Sequence, residues 1–202
     1  MARKGLTREV LVEAAEELIR KYGYESFSLN ELARYLGVKP ASLYNHVKSA
    51  EEIYTEVGLR AINGMSTAMN NAMVGKKQDD AIKALALSYR TYAHNNPGLY
   101  KVIMALPMTK DKVLSEATPE IIRPIMQALS VYRLTEEQIV HWQRILRSVM
   151  HGFVSQEEAG YFRHSAINVD ESYLLGVDNV IYGVQKARCK DSADVHEEQG
   201  QR

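Results

Sequence analysis

Three segments of this chain read Ser/Thr-x-x-Glu/Gln and run directly into apolar residues at helical spacing. They are Ser28-Leu29-Asn30-Glu31, Ser49-Ala50-Glu51-Glu52 and Thr135-Glu136-Glu137-Gln138. In a capping box the first side chain takes the amide three residues on and the last reaches back, so each one marks a helix start. The spacing elsewhere agrees. Val10, Leu11, Ala14, Ala15, Leu18, Ile19 and Tyr22 share one helical face, and Gly23 stands where a glycine would end that helix. Leu29, Leu32, Ala33 and Leu36 make a short helix that stops at Gly37, and Lys39-Pro40 opens another. Further helices are predicted over 50–75, 81–94, 97–106, 118–129, 135–159 and 170–187, the last capped by Asp170. The stretch 107–117 is polar and turn-rich, and apolar spacing is lost from about Ala187. With no strand-period run and no hairpin signal, the expectation is all-α, about nine helices.

Composition narrows the function classes. The chain has 202 residues, 25 Lys plus Arg and 25 Asp plus Glu, so a polybasic nucleic-acid coat and an acidic tail protein are excluded. A local basic face remains possible on a neutral chain. One cysteine, Cys189, excludes an internal disulfide framework and a thiolate zinc cluster, and fits a reducing, cytoplasmic setting. No apolar run approaches the roughly 18–20 residues that span a bilayer, so no membrane partner is expected. There is no His-Glu-x-x-His helix, nucleophile elbow, P-loop or dinucleotide fingerprint. Neither catalysis nor a metal or cofactor is expected.

Residues 28–48 carry the sharpest functional pattern. A capped two-turn helix, a glycine turn and a second short helix are the layout of a helix-turn-helix. Ala33 lets the helices approach, Gly37 supplies the positive φ of the corner, and Val38 and Leu43 face inward. Left outward are Lys39, Ala41, Ser42, Tyr44, Asn45, His46 and Lys48, groups that donate to phosphates or read base edges. A tight corner in any helical bundle has similar spacing; the outward polar set is what points to DNA. Over residues 1–48 there are eight Lys/Arg and six Glu, a net of +2.

The first 60 or so residues resemble the DNA-binding domain of the tetracycline-repressor (TetR) family. The matching residues are Ala14-Ala15, Leu18, Tyr22-Gly23-Tyr24, Ser28-Leu29, Leu32-Ala33 and Leu36-Gly37-Val38, then Ser42-Leu43-Tyr44, His46-Val47 and Glu51-Glu52-Ile53. The resemblance implies a one-component transcription regulator, usually a repressor, that binds a double-stranded operator as a homodimer. It implies phosphate contacts for Tyr44 and His46 and a place at the groove for Lys39, Pro40, Ala41, Ser42 and Asn45. Ser28, at the head of the helix pair, joins the DNA-binding set. The family often has a lysine two positions after Lys48; here that position is Ala50, so either the contact passes to Lys48 or to the Arg3-Lys4 arm, or the operator is bound more weakly.

The remainder is expected to divide into an effector and dimerisation domain over 61–187 and a flexible tail over 188–202, after a DNA-binding domain over 1–60. Trp142 with His151-Gly152 is similar to a tryptophan/histidine-glycine signature of one TetR C-terminal subgroup. Twelve tyrosines against three phenylalanines suit a pocket for an amphipathic organic effector. The candidate lining is Tyr89, Tyr92, Tyr100, Met104, Met126, Trp142, Met150 and His151. The broad apolar faces of 135–159 and 170–187 suggest a two-fold four-helix interface. Its candidates are Leu146, Val149, Phe153, Leu174, Val177 and Ile181, with Gly152, Gly176 and Gly183 allowing close crossing. The expected function is thus a ligand-responsive regulator; the other reading is a helical DNA-binding or interaction protein without a small-molecule effector.

Overall fold

The computed structural model describes residues 5–24 and 27–197, apart from the side chains of Pro107 and 188–197. Among these residues every regular element is helical. The α-helices are α1 (Arg8–Tyr22), α2 (Leu29–Leu36), α3 (Pro40–Leu43), α4 (Ala50–Met73), α5 (Gln78–Asn95), α6 (Pro97–Ala105), α7 (Lys112–Ala117), α8 (Pro119–Ser130), α9 (Glu136–Glu158) and α10 (Val169–Glu197). They form two compact units. The first comprises 1–65 and 92–120, the second 66–91 and 121–202. This grouping differs from a division at residue 60, because α6 and α7 pack with the N-terminal helices.

In the first unit α1 is the central element. Thr7 caps it by accepting from the Val10 amide, and Leu11, Val12, Ala15 and Ile19 are fully buried. Helix α6 lies against it, and Gly98 is the point of closest approach: a Cβ there would overlap the Ile19 carbonyl oxygen and stand 2.8 Å from its carbon.

Helix α7 occupies the stretch read from sequence as turn. It holds because Asp111 caps it: Oδ1 accepts from the Val113 amide at 2.9 Å and the Leu114 amide at 3.2 Å. The other carboxylate oxygen accepts from the Thr55 hydroxyl of α4. Leu114 is fully buried against Gly58, where an added Cβ would come within 2.6 Å of its Cδ2. One buried leucine and one cap thus order six residues in an otherwise polar segment.

The second unit is built on α9 and α10. The capping box at Thr135 is formed: Thr135 Oγ1 accepts from Gln138 N at 3.2 Å and Gln138 Oε1 from Thr135 N at 2.9 Å. Arg90 is enclosed by carboxylates, with Nε 2.9 Å and Nη2 2.5 Å from Glu157 and Nη1 2.8 Å from Asp170. The Glu157 hydrogen bonds above all hold that guanidinium more firmly protonated. Beneath it, the Tyr173 hydroxyl donates to the Ala86 carbonyl at 2.6 Å.

Asp170 therefore does not cap α10. It is the second residue of that helix and its carboxylate serves Arg90; Asn168 Oδ1 accepts from the Asp170 amide at 2.8 Å. The helix also continues ten residues past Ala187, so 188–197 of the expected tail are helical. No glycine or proline interrupts Gln185–Glu197, and Ala187, Arg188, Lys190, Ala193 and Glu197 all favour helix. Residues 198–202 of that tail lie outside the described residues.

Candidate DNA-binding surface

The α2–α3 corner is made by three local devices. Ser28 Oγ accepts from the Glu31 amide at 3.2 Å and opens α2, while the Glu31 carboxylate pairs with Arg34. Gly37 ends α2 in the left-handed region (φ 65°, ψ 33°), where a side chain would be strained. The Val38 amide then donates back to the Ala33 carbonyl at 3.0 Å, closing the turn. Leu32, Ala33, Leu43 and Val47 are buried and lock α3 in place.

What this leaves outward is a surface without a carboxylate. Residues 39–48 include Lys39 and Lys48 and no Asp or Glu. Lys39, Pro40, Ala41, Tyr44, Asn45 and Lys48 are exposed, with Tyr44 at 58%, and Ser42 and His46 are half-buried. Ser28 is half-buried in its cap. Arg3 and Lys4 lie outside the described residues. Helix α3 is a single turn, followed by a turn in which the His46 and Val47 amides both donate to Leu43 O, at 2.9 and 3.1 Å.

The second expected capping box is shifted by one residue. Glu52 Oε2 accepts from the Lys48 amide at 3.1 Å and not from Ser49. The same oxygen takes Arg8 Nη1 at 3.1 Å, and Arg8 Nε reaches Glu56 at 3.3 Å. Glu52 thus fastens the end of the recognition turn to the first turn of α4 and to the start of α1. The Lys48 amide and then Arg8 hold its carboxyl below the usual carboxylate range. No spacing rule in the sequence announces the Arg8–Glu52 pair, which joins residues 44 apart.

Residues 11–57 match the family described as bacterial regulatory proteins, tetR family, and residues 82–180 match the tetracyclin repressor-like C-terminal domain. An HTH-type transcriptional regulator of Mycobacterium tuberculosis, Rv0681, is 37% identical over 156 residues, 77% of this chain and 72% of that one. The chain belongs to the TetR family of transcriptional regulators. A second relative, the HTH-type transcriptional regulator YobS of Bacillus subtilis, is 32% identical over 75% of this chain and 78% of its own. The fold is shared with solved structures. A TetR regulator of Streptomyces coelicolor, SCO7222, superposes with a TM-score of 0.70 at 18% identity, covering 91% of this chain and 99% of that one. A Rhodococcus sp. RHA1 protein of unknown function gives 0.75 at 20% identity, covering 89% and 95%.

Within this TetR protein the eight candidate pocket residues fall in both units. Tyr92, Tyr100 and Met104 belong to the first unit; Tyr89, Met126, Trp142, Met150 and His151 belong to the second. Tyr89 and Met150 are fully buried, Tyr100 nearly so, Met126 is exposed, and the rest are half-buried. Tyr92 donates to the Ala61 carbonyl at 3.1 Å, and burial pushes its phenol up to about 12. Cavities open beside Tyr22 and Tyr35, beside Lys77 and Gln127, and beside Tyr161 and Phe162; none of these is lined by any of the eight.

Three of the six interface candidates need correction. Leu146 and Val177 are fully buried within the protomer and Ile181 is 4% exposed, so they form its own core. Val149, Phe153 and Leu174 are half-buried; the Phe153 ring meets Tyr173 edge-on and Phe162 at a tilt. Gly176 and Gly183 face α9 of the same chain. A Cβ on Gly176 would meet Val149 at 3.3 Å, and one on Gly183 would run into the Trp142 ring. Gly152 differs: nothing lies within 4 Å of an added Cβ. Among the described side chains of α9 and α10, the large apolar ones that are exposed are Ile145 (44%), Leu175 (64%) and Tyr182 (60%).

Among the described residues no three His, Cys, Asp or Glu side chains are grouped to hold a metal ion. No described helix is long and apolar enough to cross a membrane.

Proposed function

We propose that this TetR regulator binds a pseudo-palindromic operator as a two-fold homodimer through residues 39–48, acts in the cytoplasm as a repressor, and is released by a small organic effector. The observation that carries the DNA half is the largely exposed stretch 39–48, which holds two lysines and no carboxylate. A two-fold dimer presents two such surfaces to successive major grooves, about 34–36 Å apart. The effector acts by preferring a dimer in which that spacing is altered, and weakens operator binding by its difference in affinity for the two forms. Lys48 takes the phosphate that the family's lysine would take at the position of Ala50.

The dimer face in this proposal is the solvent side of α9 and α10. Ile145, Ser148 and Gly152 follow one another at i, i+3, i+7 on α9, and Leu175, Asn179 and Tyr182 at i, i+4, i+7 on α10. Gly152 opens α9 to a partner helix. Selection of duplexes from random sequence, followed by mobility shifts at two salt concentrations, tests the DNA reading. A selected two-fold sequence and a steep salt dependence are expected; no selected sequence defeats it.

A further inference from the structure

Gln143 is the single polar or charged residue that is buried among the described residues, at 7% exposure. Its Oε1 has no hydrogen-bond donor within reach among them. It stands on the inner face of α9, where Leu146, Met150 and Val154 are fully buried. A buried carbonyl that leaves water and gains no donor destabilises the fold, and native chains hold few such groups without a water or a ligand to answer them. A leucine or methionine would suit this helix face better, as its own neighbours show. Sequence reading selected Trp142 and Met150 on either side and passed over Gln143, because a lone glutamine in a helix carries no signal until its burial is known.

We infer that Gln143 Oε1 is the acceptor for a neutral, largely apolar organic molecule bearing one O–H or N–H donor, bound at the inner face of α9 in the second unit. This rests on the effector reading above and gives that effector a chemical class. The donor is neutral because no carboxylate is buried among the described residues to balance a cation. The body is apolar because the helix face beside Gln143 is apolar. Met150, seven residues on, lies about 10 Å along the helix, the length of a mid-sized organic molecule. Its unbranched side chain can yield space to such a body.

The test compares phenol with anisole, which differ in the donor, on the full-length protein and on Gln143→Met, by calorimetry and thermal shift. Phenol is expected to bind the parent protein and to lose about fivefold in affinity on the variant, the usual weight of one neutral hydrogen bond. Anisole is expected to bind both alike. Without either compound the variant should melt at or above the parent temperature. Gln143→Leu serves as a second replacement. The inference is overturned if phenol binds neither protein or both equally, or if both replacements melt lower or fail to fold, since the oxygen is then satisfied within the protein. An organic molecule that frees operator equally from parent and variant in a mobility shift would remove this inference and leave the effector reading standing.

Discussion

Gly98 on α6 and the Ile19 carbonyl on α1 are packed so closely that no Cβ fits between them. The obstacle is backbone, and backbone cannot turn aside as a side chain can. Gly98→Ala must therefore push α6 off α1. We expect a loss of about 3 kcal/mol, at the upper end for a single added methyl, read as a lower urea midpoint at unchanged m-value. A midpoint equal to the parent's would show that the two helices separate at no cost.

The recognition surface divides by role. Lys48→Ala should weaken binding to every duplex about equally and lower the salt slope by about one. Tyr44→Phe and His46→Ala should behave in the same sequence-blind way, while Asn45 and Ser42 substitutions should change which bases are preferred. Competition between selected and scrambled duplexes separates the two. A Tyr44→Phe protein with new sequence preference and full affinity would reverse the assignment.

Glu52 should matter to DNA binding although it faces none. Gln in its place keeps the size but loses the charge that holds both the Lys48 amide and Arg8. Operator affinity is expected to fall about tenfold, the weight of one charge-assisted bond, with sequence preference unchanged. Because the folded-state pKa is depressed, the stabilisation is present above the ordinary glutamate range and is lost as pH falls through the folded value. Circular dichroism melts between pH 3 and 6, parent against Glu52→Gln, should converge at the acid end.

Leu175→Glu and Tyr182→Glu should yield folded monomers that no longer bind operator, since two-fold contact doubles every charge introduced. Val177→Glu should instead unfold the second unit, its side chain being fully buried. Sedimentation velocity alongside circular dichroism distinguishes the outcomes. Folded dimers of both surface variants would place the interface elsewhere.

Tyr92 should ionise only near pH 12. Its folded pKa is raised, so the stabilisation is complete below the ordinary tyrosine value and disappears as pH climbs through the folded one. The difference in 295 nm absorbance between the parent and Tyr92→Phe isolates this one phenol. A difference centred near pH 10 would mean that the ring is solvated.

The pattern of the chain fixes periodicity better than it fixes outcome. Gly37, the Ser28 cap and the Thr135 box are local, needing only neighbours in sequence, and each was legible. Helix α7 was not, because its stability comes from Leu114 meeting Gly58 and Asp111 meeting Thr55 across 56 residues. The start of α10 was misplaced because Asp170 is an equally good cap in isolation; Arg90 claims it in three dimensions. Leu146, Val177 and Ile181 proved to be core for a related reason. A helix with a wide apolar arc shows which residues avoid water, but not which part of the arc meets its own chain, so Leu146 and Ile145 look alike until burial separates them.

The seat of Trp142 on Gly183 has a practical side. It is the one tryptophan of the chain, and a Cβ on Gly183 would overlap its ring. Its emission is therefore a single-site optical gauge of the α9–α10 seam. Any event that slides or parts those two helices should change its colour or brightness, with no dye attached and no residue replaced.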